Sequence, residues 1–160
     1  MHLILISFIG QLAKPMKYSN EITINQPIDK VIALFDSAEN LKEWMPGLES
    51  FEHLSGEPGQ PGSKSKMVFK RGKGTMAMVE TITKNNLPEE FSGTYEASGT
   101  VNIQQNSFHQ AGENSTKWVS HSEFRFSGLG MKFMSWIMPG AFKKQSLIFM
   151  ENFKAFAERS

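Results

Sequence analysis

Residues 63–83 read SKSKMVFKRGKGTMAMVETIT, and how this stretch pairs with itself decides the fold. Gly72-Lys73 has the composition of a two-residue hairpin turn, glycine first, as a type II′ turn prefers. Closing the chain there sets Arg71 opposite Gly74, and every further pair follows. Phe69 meets Met76, Met67 meets Met78 and Ser65 meets Glu80 on one face. Lys70 meets Thr75, Lys66 meets Val79 and Lys64 meets Thr81 on the other. Apolar residues sort to one side and lysines to the other, and a slip of one residue would exchange the two faces.

Upstream, YSNEITIN alternates from Tyr18 to Asn25 as a strand does. Pro27 suits a helix start, and IDKVIALF carries Ile28, Val31, Ile32 and Phe35 on one stripe. SAENLKEWM reads as a second short helix with Ser37 at its N-cap, stopped by Pro46-Gly47 before the strand LESFEHLSG. The segment from Glu57 to Ser63, with two prolines and two glycines, is a loop.

Downstream of the hairpin, NNLPEE turns the chain. FSGTYEASG puts Phe91 and Tyr95 on one parity, and TVNIQQNSF puts Val101 and Ile103 together on the next strand. TKWVSHSEFRFSG sets Trp118, Ser120, Ser122, Phe124 and Phe126 on one face, with His121, Glu123 and Arg125 on the other. The C-terminal stretch is helical, with Phe142, Ser146, Phe149, Phe153 and Ala157 recurring near the 3.6-residue period and Pro139-Gly140 kinking or restarting it. The predicted order is one strand, two short helices, about six antiparallel strands and one long amphipathic helix. A sheet with one apolar face needs a cover, and the last helix is the element that can supply it. Tryptophan-methionine-proline-glycine stretches occur near 44–47 and 136–140, but a strand follows the first and a helix the second, so they are no repeat.

With 160 residues, a net charge of +1 and no cysteine, the chain has room for one domain, no strong global field, and no thiolate or disulfide chemistry. LILISFIG, near the start, is too short to span a bilayer. Residues 1–15 are expected to be an apolar extension, with Met16 opening a single domain over 16–160 and a cytoplasmic location; an N-terminal membrane anchor or export signal is the alternative.

PIDKVIALFDSAENLKEWMPGL after the first strand, the Trp-x-Pro before the second, LPEEF after the fourth and PGAFKKQSLIFMENFKAFAE at the end carry a likeness. From Lys17 to Glu158 the chain resembles the SRPBCC superfamily, which includes polyketide cyclase/dehydrase-like, START and pollen-allergen-type proteins. The resemblance implies an α+β helix-grip fold: a curved antiparallel sheet of about six to seven strands wrapped around the C-terminal helix, with a cavity between them. It implies no single chemistry, since members carry lipids, bind hormones, cyclise polyketides or act as co-chaperones.

Parity places Met67, Phe69, Met76, Met78, Ile82, Phe91, Tyr95, Trp118 and Phe124 on the inward face, with Phe149 and Phe153 added by the helix. These residues either fill a plain core or line a site for a small hydrophobic or amphipathic molecule, to which methionines can remould. Glu80 breaks the pattern by sharing that face, with Tyr95 (one register off), Ser65, Ser120 and Ser122 as candidate donors. Three roles are open to it: reaching water at the rim, anchoring a ligand, or acting with Tyr95 as the acid–base pair of a cofactor-free cyclase or dehydratase.

His53, His109 and His121 fall on separate strands without metal-ligand spacing, and no phosphate loop, nucleophile elbow or dinucleotide fingerprint occurs, so neither metal nor cofactor is expected. Lys64, Lys66, Lys70, Arg71 and Lys73 form a basic strip that reads as a solvated face guarding a sheet edge. The alternative is the contact surface of a co-chaperone-like or ribosome-associated module; nucleic acid is not expected without exposed aromatics or a larger positive excess. Residues 131–142 read either as a gate that touches a membrane or protein, or as a first helical turn packed on the sheet.

Overall fold

Seven strands form one antiparallel sheet in the computed structural model, which describes residues 14–128 and 139–160. In chain order they are β1 (Met16–Ile24), β2 (Leu48–Ser55), β3 (Lys64–Arg71), β4 (Gly74–Asn86), β5 (Glu90–Ala97), β6 (Thr100–Gly112) and β7 (Ser115–Phe126). Between β1 and β2 lie α1 (Ile28–Phe35) and, after a tight turn at Ala38–Asn40, the short α2 (Leu41–Trp44). The last element is α3 (Pro139–Arg159). The spatial order is β1-β7-β6-β5-β4-β3-β2, so β1 and β2 are the edges.

β3 and β4 pair in the register that their sequence dictates, from Arg71 opposite Gly74 to Lys64 opposite Thr81. Gly72 sits at φ 58° and Lys73 does not share the positive angle, which is the signature of a type II′ turn. Burial follows the pattern: Ser65, Met67 and Phe69 are buried while Lys64, Lys66 and Lys70 are exposed. One expectation changes. β2 covers β3 through the Phe51–Met67 and Glu52–Lys66 pairs, so the lysines stand on the outer face of interior strands and guard no edge. Arg71 departs from the strip too: it shares the parity of Phe69, with its guanidinium 3.7 Å from the Met76 sulfur.

The inner face is sealed at one end by aromatic packing. Phe35, from the apolar stripe of α1, lies 4.9 Å from Phe108, 5.4 Å from Trp118, 5.6 Å from Phe91 and 5.8 Å from Phe153, ring centre to ring centre. Trp44 of α2 adds an edge contact to Phe153 at 5.2 Å. Such edge-to-face arrangements suit the quadrupoles of the rings as well as burying area. Ser37 caps the turn at Ala38–Asn40 and Asn40 stands at the N-cap of α2; neither makes a side-chain cap bond, so tertiary packing of Trp44 and Leu41, rather than capping, holds α2.

The described part of α3 is one continuous helix from Pro139 to Arg159, and whether Pro139-Gly140 kinks or restarts it turns on residues outside those described. Its inward stripe runs as predicted through Phe142, Ser146, Phe149, Phe153 and Ala157, joined by Met150 and Phe156. β1 fastens the helix at both ends. The Tyr18 hydroxyl donates to the Phe142 carbonyl at 3.0 Å, which leaves Ser146 Oγ to donate to Tyr18 at 2.6 Å. Asn20 Nδ2 donates to the Lys143 carbonyl, Lys154 Nζ to the Thr23 carbonyl, and the Asn25 N–H to Glu158 at 2.7 Å. The edge of β1 is thereby occupied by its own helix. The predicted gate over 131–142 falls mostly outside the described residues; within them, Phe142 packs 4.9 Å from Phe124.

Phe153 is fully buried and touches rings from α1, α2 and β7. Phe153→Ala is therefore expected to lower stability by about 3–5 kcal/mol, read as a fall in the urea midpoint with an unchanged slope.

Candidate functional site

Strand register turns the inner face into a grid. One row runs Ser65–Glu80–Tyr95–Asn102–Phe124 across β3 to β7. The next runs Ile82–Gly93–Gln104–Ser122–Tyr18, and the third Phe91–Asn106–Ser120–Asn20. Phe108 and Trp118 close the grid at the aromatic end. Met67, Phe69, Met76 and Met78 close it at the hairpin end, where Phe69 lies 6.3 Å from Phe149 of α3. The centre is polar.

All the residues assigned inward by parity do face inward, but they divide into two groups. Phe91, Trp118 and Phe153 belong to the packed aromatic end, with Trp118 at 4% exposure and Phe153 at none. Phe124 packs between Tyr18, Phe126 and Phe142. Met67 and Ile82 are buried, whereas Met76, Met78, Glu80, Tyr95 and Phe149 keep part of their surface uncovered. Those five make the candidate site, and Ser122 and Ser120 stand farther off on β7, one and two rows along from the Glu80 row.

Glu80 and Tyr95 are directly paired across β4 and β5, not one register apart as the sequence suggested. A bulge at Ile82/Lys84 sets this alignment, and Gly93 accommodates it: a Cβ there would stand 3.1 Å from the Thr81 carbonyl. Burial raises the pKa of the Glu80 carboxyl, and the Tyr95 hydroxyl only partly opposes the shift. Tyr95 is pushed well above the usual phenol range by burial first and by the adjacent Glu80 charge second. Both groups thus hold a proton more strongly than their free counterparts, a shift that suits an acid or a hydrogen-bonding anchor.

The sequence reading missed most of the polar centre. Val101 and Ile103, which it grouped, pair with Arg125 and Glu123 on the outer face, and Asn102, Gln104 and Asn106 turn inward. The signal available was the Ser98-Gly99 turn, with Gly99 at φ 73°, which pairs Ala97 with Thr100 and thereby assigns every even residue of β6 to the inside. Some of these groups are satisfied: Trp118 Nε1 donates to Asn106 Oδ1 at 3.0 Å. Others are not. Among the described residues, Asn102 Oδ1, Thr100 Oγ1 and Ser122 Oγ are buried without a hydrogen-bond partner, and Ser122 is only 4% exposed. Each such atom costs about 1–3 kcal/mol if nothing meets it.

The three histidines make separate local bonds: His53 to the Gly56 carbonyl, His109 to Ser107 and His121 to Ser19. Among the described residues no group of three histidine or carboxylate side chains is placed to hold a metal ion, and no helix is long and apolar enough to cross a membrane.

A seven-stranded antiparallel sheet gripping a long C-terminal helix, with two short helices after the first strand, defines the helix-grip class. The chain belongs to the family described as polyketide cyclase/dehydrase and lipid transport, whose model matches residues 15–158. Solved structures agree on the fold. The ZhuI aromatase/cyclase from Streptomyces sp. R1128 superposes with a TM-score of 0.77 at 11% identity, covering 91% of this chain and 95% of that one. Ara h 8.0201 gives 0.71 at 16% identity, covering 92% and 100%. Norcoclaurine synthase from Thalictrum flavum, solved with dopamine and hydroxybenzaldehyde, gives 0.68 at 15% identity, covering 89% and 86%. No curated protein matches the chain by sequence.

The raised pKa of Glu80 has a consequence for stability. The folded chain holds this proton more tightly than the unfolded chain, so stability falls as pH rises from the unfolded carboxyl pKa through the folded one. Glu80→Gln keeps the neutral form at every pH. The variant is expected to match the parent near pH 4 and to gain on it toward pH 8 in urea titrations across that range. The gain is about 1.4 kcal/mol for every tenfold by which folding tightens the hold on the Glu80 proton.

Proposed function

We propose that the chain binds or carries a small hydrophobic or amphipathic molecule between the inner face of its sheet and α3. The observation that carries this reading is the composition of the central grid. A deep face bearing a carboxyl whose pKa burial raises, partnerless hydroxyl and amide groups, and pliable methionines is a poor dry core but a good host. A guest with an apolar body and a polar end would cover Met76, Met78 and Phe149 and give Glu80, Asn102 and Ser122 something to bond. The family description, which joins lipid transport to cyclase chemistry, supports the same reading.

Native mass spectrometry of the purified protein is expected to show a co-purifying small molecule or saturable uptake of an apolar dye. Met78→Trp, which adds volume to a half-covered position, is expected to weaken that uptake at least about tenfold while the chain stays folded. Binding that persists in full would place the guest elsewhere.

A second reading has its own observation, the direct pairing of Glu80 with Tyr95 and the strengthened hold of each on a proton. We propose, as the alternative activity of the same site, a cofactor-free cyclisation or dehydration in which Glu80 moves a proton and Tyr95 hydrogen-bonds a carbonyl oxygen. If so, Glu80→Gln abolishes turnover and leaves guest binding within a few-fold; a variant with full turnover would refute the assignment.

A further inference from the structure

The charges on the inner grid are one-sided. Among the described strand residues that face inward, Glu80 is the only carboxyl, and no lysine shares that face. Two bases have inward parity, and both stand at margins. His53 is exposed on the edge strand with Nε2 at 2.9 Å from the Gly56 carbonyl. Arg71 is exposed at the hairpin tip, six residues along β3 from Ser65 in the Glu80 row, or roughly 20 Å at the rise of a strand. Among the described residues the partnerless buried group in the Glu80 row is Asn102 Oδ1, which can only accept; Ser122 Oγ in the next row and Thr100 Oγ1 one step toward the turn are hydroxyls that accept or donate, and the orphaned Trp44 Nε1 lies apart at the aromatic end.

We infer that the site selects guests whose polar end donates hydrogen bonds, a hydroxyl or an ammonium group, and turns away carboxylates and phosphates. The inference rests on the enclosed-guest reading above and narrows it. A hydroxyl head can donate its one hydrogen to Glu80 or to the orphaned Asn102 oxygen, which stand two strands apart on either side of Tyr95. An ammonium head goes further, because it draws the Glu80 proton off and leaves a buried ion pair with hydrogen bonds on both sides. An anionic head meets the reverse. It would be stripped of water beside a carboxyl, and among the described strand residues the one inward guanidinium, Arg71, stands by Met76 at the hairpin end and not in the Glu80 row. Fatty acids and acidic lipids are thereby disfavoured although their tails suit the methionines.

The test is a matched series on the wild-type protein at pH 7: 2-naphthol, 2-naphthylmethylamine and 2-naphthoate, which share one apolar body and differ in the head. Fluorescence titration is expected to give naphthoate a dissociation constant at least about tenfold weaker than that of naphthol or the amine. Comparison of naphthol with the amine then assigns the preferred donor. Glu80→Gln, nearly isosteric and checked for folding by circular dichroism, is expected to shrink the naphthoate penalty and to weaken the amine. Naphthoate binding as tight as naphthol in the wild type overturns the selectivity while the site itself stands. So does naphthoate binding that Arg71→Ala abolishes, which would put acid heads at the hairpin tip. Failure of all three probes to bind overturns the enclosed-guest reading and this inference together.

Discussion

One face of one sheet has to be taken out of water by one helix, and most of the architecture serves that requirement. Neither partner can do it alone: the inner face of β3 to β7 is too broad to be left wet, and among the described residues the apolar stripe of α3 is buried against that face and the short helices beside it. The contact is dry at the aromatic end, where Phe35, Trp44, Trp118 and Phe153 interlock. It is fastened rather than packed along β1, where Tyr18, Asn20 and the Lys154–Glu158 pair tie the helix to the strand. Division of labour between a packed end and a tied edge frees the middle from carrying the stability of the fold. That is why the middle can be polar.

A polar middle has a physical meaning only because of where it lies. Asparagine, serine and glutamate on a wet sheet face would be unremarkable in composition and in energy. Beneath a helix the same groups lose their water, and those without protein partners, such as Ser122, hold a binding free energy that some guest or solvent must release. The raised pKa of Glu80 is the electrostatic side of the same fact. The proposed ligand binding and the proposed proton chemistry would both draw on one feature, in keeping with a family whose description includes both transport and cyclisation.

Much of this was legible in the chain. The hairpin register from Arg71–Gly74 outward, the apolar stripe of α1, the loop at 57–63 and the period of α3 each follow from local rules, and the structure reproduces them. The faults lie where a strand's face depends on something outside it. Val101 and Ile103 share a face by alternation alone, which leaves open whether that face is inside, and the tight turn after Ala97 puts it outside. The lysine row looked like edge protection because nothing local says that β2 pairs with β3. Tyr95 seemed a register away because the bulge in β4 is invisible until its partner strand is laid down.

By itself, then, the sequence determined the elements, the hairpin pairing and the presence of a carboxyl on an otherwise apolar face, since period, turn chemistry and alternation act over a few residues. Only the tertiary structure decided that Glu80 stands beside Tyr95 with Asn102 on the far side of it, that Trp118 and Phe153 are packing rather than lining, and that the interior has a polar centre. The reason is that neighbours across a sheet are set by strand order and by bulges, and burial by a helix many residues away. Those are properties of the assembled chain, and desolvation, which makes the polar groups matter, begins only when it is assembled.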